Sequence, residues 1–362
     1  MAISLTQTIS QTIAVNIFFD FNRNNNDICF TSSTLTLMKV ITIKDIAQMA
    51  NVSPSTVSRA LKDHPDISSD LKIKIKGIAD ALNFKPNSFA SNFRKQKSQL
   101  IGVIIPKFCN SFVPDVIFGI TSVVNEKNFQ VIILPTNDDI LKEKEAIQKC
   151  CDYRVDGILM SLSVETSNVE HLKTADAYNI PVVIFDKAAN TSNYHQVVIN
   201  DKLMAEKCAQ QLINESRKNI IGFFGHENLA ITKNRQIGFS SILNQNKLPL
   251  TIEYASSSIE AYQKTISLID SKNIDAVFGI SDELLIGIIA AVREKQKLNE
   301  ISIIGFSDGS TIPLLFPEVS YVSHDGKKLG YEAANTLFKL IDDNSFSPKT
   351  NAISVDLKIG RK

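Results

Sequence analysis

The stretch that decides the fold is TIKDIAQMANVSPSTVSRAL, residues 42–61. Its first half places apolar residues at the i, i+3, i+4, i+7 spacing of one helical face, namely Ile43, Ile46, Ala47 and Ala50. Residues 51–53 interrupt this pattern. Ser53 can cap a second helix through its hydroxyl, and Pro54 suits the first helical position. The stretch therefore predicts two short helices around a tight turn.

The second helix has one apolar side and one polar side. Val57, Ala60 and Leu61 fall inside, whereas Pro54, Ser55, Ser58 and Arg59 face outward. A short polar helix with an exposed Arg, supported by a preceding helix, fits the major groove of DNA. An ordinary helical hairpin inside a larger fold is the alternative, because a short motif also occurs by chance.

The residues around this turn resemble a known family signature. V-S-x-x-T-V-S-R, residues 52–59, resembles the signature of the lactose-repressor (LacI/GalR) family of bacterial transcription factors. Residues 82–87, L-N-F-K-P-N, resemble that family's L-[NG]-[YF]-x-P-N. The resemblance continues more loosely to about residue 360 and leaves residues 1–37 outside. It implies a helix-turn-helix head followed by a two-lobed α/β core like that of periplasmic binding proteins.

Charge is distributed unevenly along the chain. The 362 residues carry a net charge of +1 and 44% apolar residues, enough for two sizeable cores. Residues 39–99 contain eleven Lys or Arg and five Asp, a net charge of +6, so the remainder carries −5. A basic head on a mildly acidic body indicates that the head meets a polyanion. We expect no membrane partner, because no apolar run approaches about 18 residues.

The sequence offers no enzyme or metal motif. Its five cysteines are odd in number and show no C-x-x-C spacing, which is typical of reduced thiols in a cytoplasm. Its five histidines include no pair at ligand spacing, and we find no glycine-rich phosphate loop and no G-x-S-x-G. We therefore expect a cytoplasmic protein with no cofactor, no metal and no catalytic activity.

Residues 1–37 are rich in Asn, Thr, Ile and Phe and show neither helical nor strand periodicity. They lack the order of segments that defines a signal peptide. Met38-Lys39-Val40-Ile41-Thr42 resembles the usual opening of a family member. Our hypothesis is that translation starts at Met38; a genuine disordered tail is the alternative.

The head, residues 38–86, supplies the candidate DNA contacts. Ser55 and Arg59 are candidates for base edges, since Arg is the usual reader of guanine, and Pro54 would add an apolar contact. Ser58 shares their outward face. The small hydroxyls near the helix starts suit phosphates; they belong to Thr42, Ser53 and Thr56.

The segment 87–99 corresponds to the family's hinge helix and linker. It is too short to be stable as an isolated helix, so we expect it to fold on the operator. The resemblance places Phe93 where the family inserts a Leu into the minor groove. Asn87 opens this segment, and Arg94 would hold a backbone phosphate.

The body, residues 100–362, alternates Ile- and Val-rich runs with amphipathic stretches, which predicts doubly wound parallel sheets. Eight runs in two groups of four predict two similar lobes. We expect the N-lobe at about 100–196 plus 324–342, and the C-lobe at about 197–322 plus 350–362. The runs are Leu100–Pro106, Val131–Thr136, Gly157–Leu162, Val182–Asp186, Val197–Asp201, Ile220–Gly225, Ala276–Ser281 and Ser302–Ser307.

Ligands of open parallel sheets lie at the carboxyl ends of the strands. Asn110, Phe112, Asp186 and Asp282 follow such ends and suit a polyhydroxylated molecule. Residues 234–239, N-R-Q-I-G-F, resemble the family's N-R-x-x-G-[FY], which implies that Arg235 clamps the effector. The resemblance also implies pocket roles for Asp282 in its N-D motif, here S-D, and for Asp186 in its F-D-R motif, here F-D-K. His324 stands where the family often has Gln.

Together these features predict a homodimeric regulator, a repressor that binds palindromic double-stranded DNA and responds to a small-molecule effector. The resemblance implies a sugar effector, with a nucleobase as the alternative. No leucine heptad follows the core, so we expect a dimer rather than a tetramer. A solute-binding protein without a transcriptional role would share the same body, and a sugar-modifying enzyme would need a catalytic set that the sequence lacks.

Overall fold

The computed structural model describes residues 41–84, 98–108, 112–187, 193–227, 229–343 and 347–361. The chain divides into two compact units, a head within residues 1–88 and a core within residues 89–362. The predicted extension 1–37 and Met38 lie outside the described residues. The hinge residues Asn87, Phe93 and Arg94 also lie outside them, as does Asn110.

The head is a three-helix unit, as the sequence predicts. Its helices are α1 (Ile43–Ala50), α2 (Pro54–Leu61) and α3 (Ser69–Ala81). Ile46, Val57, Ala60 and Ile75 are completely buried at its centre. Asn51 ends α1 in the left-handed conformation (φ 57°), which Asn tolerates better than most residues. This local conformation makes the tight turn between α1 and α2 possible.

The core alternates strands and helices along nearly its whole length. Its strands are β1 (Leu100–Ile105), β2 (Gln130–Pro135), β3 (Gly157–Met160), β4 (Val182–Phe185), β5 (His195–Ile199), β6 (Ile220–Phe224), β7 (Leu250–Tyr254), β8 (Ala276–Gly279), β9 (Ser302–Ser307), β10 (Ser320–Ser323), β11 (Thr350–Ile353) and β12 (Leu357–Lys358). Its helices are α4 (Phe112–Glu126), α5 (Ile140–Asp152), α6 (Lys173–Ala177), α7 (Asp201–Asn214), α8 (Ala230–Gln245), α9 (Ser258–Ser271), α10 (Asp282–Glu294), α11 (Ile312–Leu315) and α12 (Gly326–Asp342). A 3₁₀ turn, Glu170–Leu172, precedes α6.

Two six-stranded sheets form the two lobes. The first has the order β11-β5-β4-β3-β1-β2 and is parallel throughout. The second has the order β12-β10-β9-β8-β6-β7, and only β12 runs antiparallel. Every residue of β1 and of β6 is buried, because helices cover both faces of these central strands. The predicted doubly wound, two-lobed architecture is confirmed.

The predicted lobe boundaries are wrong at two strands. The run starting at Val197 was assigned to the C-lobe, but β5 pairs with β4 in the first sheet. Residues 350–362 were assigned wholly to the C-lobe, but β11 pairs with β5 and only β12 joins the second sheet. The reason is that the chain passes between the lobes three times, after β5, β10 and β11.

The outer helices approach one another through glycines. Gly119 of α4 lies against the backbone carbonyl of Lys327, and Gly330 of α12 lies against that of Val116. A Cβ at either position would collide with the facing backbone, so the two helices can meet only without side chains there. In the described part of the chain, α12 is the longest helix at 17 residues, and none of the helices has the length and apolarity to span a bilayer.

Candidate functional site

The outward face of α2 is the candidate DNA-reading surface of the head. Pro54, Ser55 and Arg59 are exposed and Ser58 is half-buried, while Val57 on the opposite side is fully buried. The structure therefore places the predicted base-contact candidates together on one side of one helix. Arg59 lies in the last turn, with its guanidinium available for bidentate contact to a base.

The hydroxyls predicted to contact phosphates also cap the helices of the head. Thr42 caps α1 in a capping box, donating its hydroxyl to Asp45 Oδ2 at 2.6 Å. Ser53 caps α2 by accepting the Thr56 N–H at 3.1 Å. The Ser53 hydroxyl lies 2.7 Å from that of Ser55 and 2.8 Å from that of Thr56. These three hydroxyls cluster at a helix start, which is a suitable place for a phosphate.

The lysines of α3 contact acceptors inside the head. Lys76 Nζ lies 2.6 Å from Asp63 Oδ1, and this contact holds the pKa of Asp63 below its usual value. Lys72 donates to the Asp63 carbonyl at 3.2 Å, and Lys74 donates to the Ala50 carbonyl at 3.4 Å. Lys72 and Lys76 therefore stabilise the loop before α3, and Lys74 binds the end of α1, roles that the sequence did not reveal.

The buried guanidinium of Arg235 is the centre of the interlobe site. Arg235 is 3% exposed and extends from α8 in the second lobe. Its Nε donates to Asp201 Oδ1 at 2.7 Å, and its Nη1 donates to the Ile280 carbonyl. The guanidinium carbon stands 3.7 Å from the centre of the Phe306 ring. Its Nη2 has no hydrogen-bond partner among the described residues, so one buried donor is left for a ligand.

Asp282 joins the start of α10 to the end of β9. Its Oδ1 accepts the Ser307 hydroxyl at 2.5 Å, and its Oδ2 accepts the Asp308 N–H at 2.8 Å. Burial raises the pKa of Asp282 to about 6, although the Ser307 hydrogen bond opposes this shift. The carboxylate is therefore fixed in position and close to titration near neutral pH.

Asp186, His324 and Phe112 form the first-lobe side of the site. Asp186 follows β4 in the left-handed conformation (φ 59°), and its Oδ1 lies 3.5 Å from His324 Nε2. The His324 ring lies against Phe112, with centroids 4.0 Å apart and ring planes tilted by 33°. Burial raises the pKa of Asp186 to about 6. Burial and the nearby Arg235 charge hold the pKa of His324 well below its usual value, so this contact is not an ion pair at neutral pH.

The structure brings four of the five predicted effector residues together. Arg235 donates to the Ile280 carbonyl, two residues before Asp282, and the charge of Arg235 opposes the rise in the pKa of both Asp186 and Asp282. His324 lies against Asp186 and donates its backbone N–H to the carbonyl of Ser307, whose hydroxyl binds Asp282. Phe112 joins them through His324. Asp201, the buried partner of Arg235, is absent from the predicted set. Its position directly after a strand of the sheet was the available signal, since functional carboxylates lie at such ends.

A cavity of about 570 Å³ lies between the lobes next to these residues; we call it the interlobe cavity. The first lobe lines it with the loop 162–169 and Lys187. The second lobe lines it with His226 and the start of α8, including Lys233 and Asn234. Lys187 and Asn234 directly follow or precede Asp186 and Arg235 in the sequence, so the interlobe cavity adjoins the predicted effector site.

A buried carboxylate holds the loop 162–169, which lines the interlobe cavity. Glu143 of α5 is completely buried and accepts the Ser163 N–H at 2.6 Å and the Thr166 hydroxyl at 2.9 Å. His171 Nε2 lies 2.7 Å from the same carboxylate. Although burial raises it, these hydrogen bonds bring the pKa of Glu143 below its usual value. The loop is thus fixed before any ligand arrives. The described residues include no group of three or more His, Cys, Asp or Glu placed to hold a metal ion.

Comparison with known proteins agrees with both units. Residues 42–87 match the family model "Bacterial regulatory proteins, lacI family", and residues 101–345 match the model "Periplasmic binding protein domain". The chain is 30% identical over 328 residues to the probable HTH-type transcriptional repressor ExuR of Bacillus subtilis (strain 168). This alignment covers 86% of the chain and 94% of the relative.

Solved structures share the fold. The Lac repressor dimer, bound to operator and the anti-inducer ONPF, matches with a TM-score of 0.79 at 19% identity, covering 89% of this chain and 98% of that one. A LacI family regulator from Enterococcus faecium with bound ribose matches with a TM-score of 0.65 at 20% identity, covering 72% of this chain and 97% of that one. With both of its units matched and a relative aligned over most of its length, the chain belongs to the lacI family of bacterial regulatory proteins.

Proposed function

We propose that this transcriptional regulator is a repressor whose operator affinity is set by a small polyhydroxylated ligand bound between the lobes. The observation that carries the proposal is the unpartnered Nη2 of Arg235, buried beside Asp186 and Asp282. A buried donor without a partner is costly, and a ligand hydroxyl would satisfy it. The same ligand could donate to both carboxylates.

The composition of the site favours a sugar. Hydroxyl groups both donate and accept, so they can pair with a guanidinium and with carboxylates in one site. The adjacent rings of Phe112 and His324 would offer an apolar surface to one face of a sugar ring. The Enterococcus faecium regulator, which has the same fold, holds ribose.

On the DNA side, α2 would enter the major groove, with Arg59 and Ser55 at base edges and Pro54 in apolar contact. The hydroxyls of Thr42, Ser53 and Thr56 would meet phosphates, and Ser58 would join Ser55 and Arg59 on the outward side of α2. Asn87, Phe93 and Arg94 keep their predicted roles in a hinge that folds on the operator. A homodimer acting in the cytoplasm would place one α2 in each half of a palindrome.

Ligand binding would change operator affinity by changing the arrangement of the two lobes. The candidate ligand groups come from both lobes, and three chain passages connect these lobes. A ligand that prefers one lobe arrangement changes operator affinity by its difference in affinity for the two arrangements, typically about 1–3 kcal/mol. The basic head argues against a solute-binding protein, because export and solute capture would not use it.

The test begins with genomic footprinting of the full-length chain to find its operator. Fluorescence anisotropy on that operator is then followed with sugars added. We expect a palindrome and a sugar-dependent change in affinity that Phe112→Ala abolishes while sugar-free operator binding stays intact. Tyr153→Ala, an exposed aromatic of the same lobe, is the matched control. No specific site, or a response unaffected in the Phe112 variant, contradicts the proposal.

A further inference from the structure

A carboxylate holds the chain at the point where the hinge segment joins the core. Ser98 and Gln99 are the last two residues of the segment 87–99 and lead directly into β1. The half-buried Asp156, directly before β3, accepts the Ser98 N–H at 3.2 Å and the Gln99 N–H at 2.6 Å, one with each carboxylate oxygen. Hydrogen bonds from backbone N–H groups to a carboxylate are stronger than those between neutral groups. The core end of the connection to the DNA-binding head is therefore held by both oxygens of one side chain.

The backbone next to Asp156 follows a defined and unusual path. Gln99 adopts the left-handed conformation (φ 58°), which is uncommon for residues other than glycine. The Ser98 hydroxyl accepts the Leu100 N–H at 3.1 Å, and the Asp156 N–H donates to the Leu100 carbonyl at 2.8 Å. A backbone conformation of this kind persists only where the surrounding contacts require it. The contacts of Asp156 thus set the direction as well as the position of the chain beside the hinge segment.

The second lobe contains the same arrangement at a place that does not lead to the head. Asp275 is also half-buried and directly precedes β8. It accepts the N–H groups of Lys218 and Asn219, both at 2.8 Å, directly before β6. β8 pairs with β6 as β3 pairs with β1. The two carboxylates make equivalent contacts, but the chain enters β6 from α7 of the core and enters β1 from the hinge segment.

From this comparison we infer that Asp156 is a positioning residue for operator binding, which orders the core end of the hinge segment before DNA is bound. The inference rests on the operator binding of this family, and no effector enters it. Ordering a backbone residue costs free energy, and a hinge that folds on the operator incurs this cost during binding. Asp156 already orders Ser98 and Gln99 in the free protein, so these two residues do not weaken the affinity for the operator.

The test is fluorescence anisotropy of the full-length Asp156→Ala variant without sugar, on the operator identified by footprinting and on an unrelated duplex of the same length. We expect operator affinity to fall at least about 5-fold, the effect of ordering one additional backbone residue during binding. Affinity for the unrelated duplex should stay close to that of the wild type, because the attraction of a basic head to phosphates does not require an ordered hinge.

Asp275→Ala is the matched control, since it removes the equivalent pair of hydrogen bonds from the second lobe. Both variants should lower the urea midpoint of the core to a similar extent, but Asp275→Ala should bind the operator like the wild type. Equal operator affinity in the two variants would overturn the inference, whether both bind like the wild type or both are weakened. Because the assays contain no sugar, a wrong effector class in the proposed function does not change these outcomes.

Asp156→Asn and Asp275→Asn provide a second pair in case the alanine variants do not fold. Asparagine keeps the size of the side chain and one acceptor oxygen, so it retains at most one of the two hydrogen bonds. Operator affinity should again fall only in the Asp156 variant. Hydrogen–deuterium exchange of the amides of residues 98–100 should be faster in that variant. Unchanged exchange there, or wild-type operator affinity in the folded Asp156→Asn variant, would show that this carboxylate does not position the hinge.

Discussion

Arg235 and Asp201 form a buried ion pair, with Nε 2.7 Å from Oδ1 and with side chains 4% and 7% exposed. Burial raises the pKa of Asp201, and the charge and hydrogen bond of Arg235 oppose that shift. The two residues come from consecutive helices of the second lobe, α8 and α7. Two of the three guanidinium nitrogens of Arg235 are therefore bound within its own lobe, and only Nη2 remains for a ligand.

Arg235→Ala should destabilise the core as well as remove a ligand contact. Removing one partner of a buried pair leaves the carboxylate of Asp201 without compensation, which costs about 3–5 kcal/mol. Urea unfolding of the ligand-free chain, followed by far-ultraviolet circular dichroism, measures this loss. Arg293→Ala, at an exposed position of α10, should change the free energy of unfolding by less than about 0.5 kcal/mol. Equal stability of the two variants would show that Asp201 does not depend on Arg235.

Gly238→Ala should separate α8 from α7. Gly238 lies against the backbone carbonyl of Lys202, so an added methyl group must push the helices apart and strain the Arg235–Asp201 contact. We expect a loss of about 1–3 kcal/mol in urea unfolding, typical of overpacking.

The matched control for this substitution is Gly77→Ala on α3. No atom lies within 4 Å of the Cβ position at Gly77, so the substitution introduces no clash. Alanine should instead stabilise the head by about 0.5–1 kcal/mol, because glycine is unfavourable inside a helix. Destabilisation by both substitutions to a similar degree would mean that steric contact at Gly238 is not the cause.

Local signals in the sequence were sufficient for the head. The spacing of Ile46, Ala47 and Ala50, with Ser53 before Pro54, predicts α1, the turn and α2 as the structure has them. All of these signals act within one or two helical turns. The second role of Ser53, whose hydroxyl also meets those of Ser55 and Thr56, depends on side-chain positions that spacing does not specify.

In the core, the apolar runs predicted eight strands, including the edge strand β2, and missed β7, β10, β11 and β12. β7 and β11 are edge strands with mostly half-buried or exposed residues, so they lack a continuous apolar run. The rule that ligands lie at strand ends predicts Asp186 and Asp282 as residues of one site, and this stays a prediction. It could not predict that Asp201 binds Arg235 or that Ser307 binds Asp282, because these contacts join residues 34 and 25 positions apart in the sequence.

Asp186→Asn should alter how the stability of the core depends on pH. Burial raises the pKa of Asp186 from 3.8 to about 6, so the folded state binds the proton more tightly than the unfolded state. The contribution of this proton is complete below about pH 4 and is lost as pH rises through about 6. The wild type should therefore lose up to roughly 3 kcal/mol relative to the Asn variant between pH 4 and pH 7.

Urea midpoints at pH 4 and pH 7 measure this difference. Glu145→Gln, which removes an exposed carboxylate of α5, is the control and should follow the wild type at both values. A constant difference between wild type and the Asp186 variant across this range would show that the carboxyl titrates alike in the folded and unfolded states.

Arg59→Lys should weaken operator recognition while preserving general attraction to DNA. Lysine keeps the positive charge but lacks the planar fork that contacts guanine through two hydrogen bonds. Affinity for the operator should fall by about 1–3 kcal/mol, and affinity for unrelated duplex DNA and its salt dependence should stay close to those of the wild type. Fluorescence anisotropy with both duplexes at two salt concentrations separates these effects. An equal loss on both duplexes would mean that Arg59 contacts a phosphate, and α2 would then need another residue to read the bases.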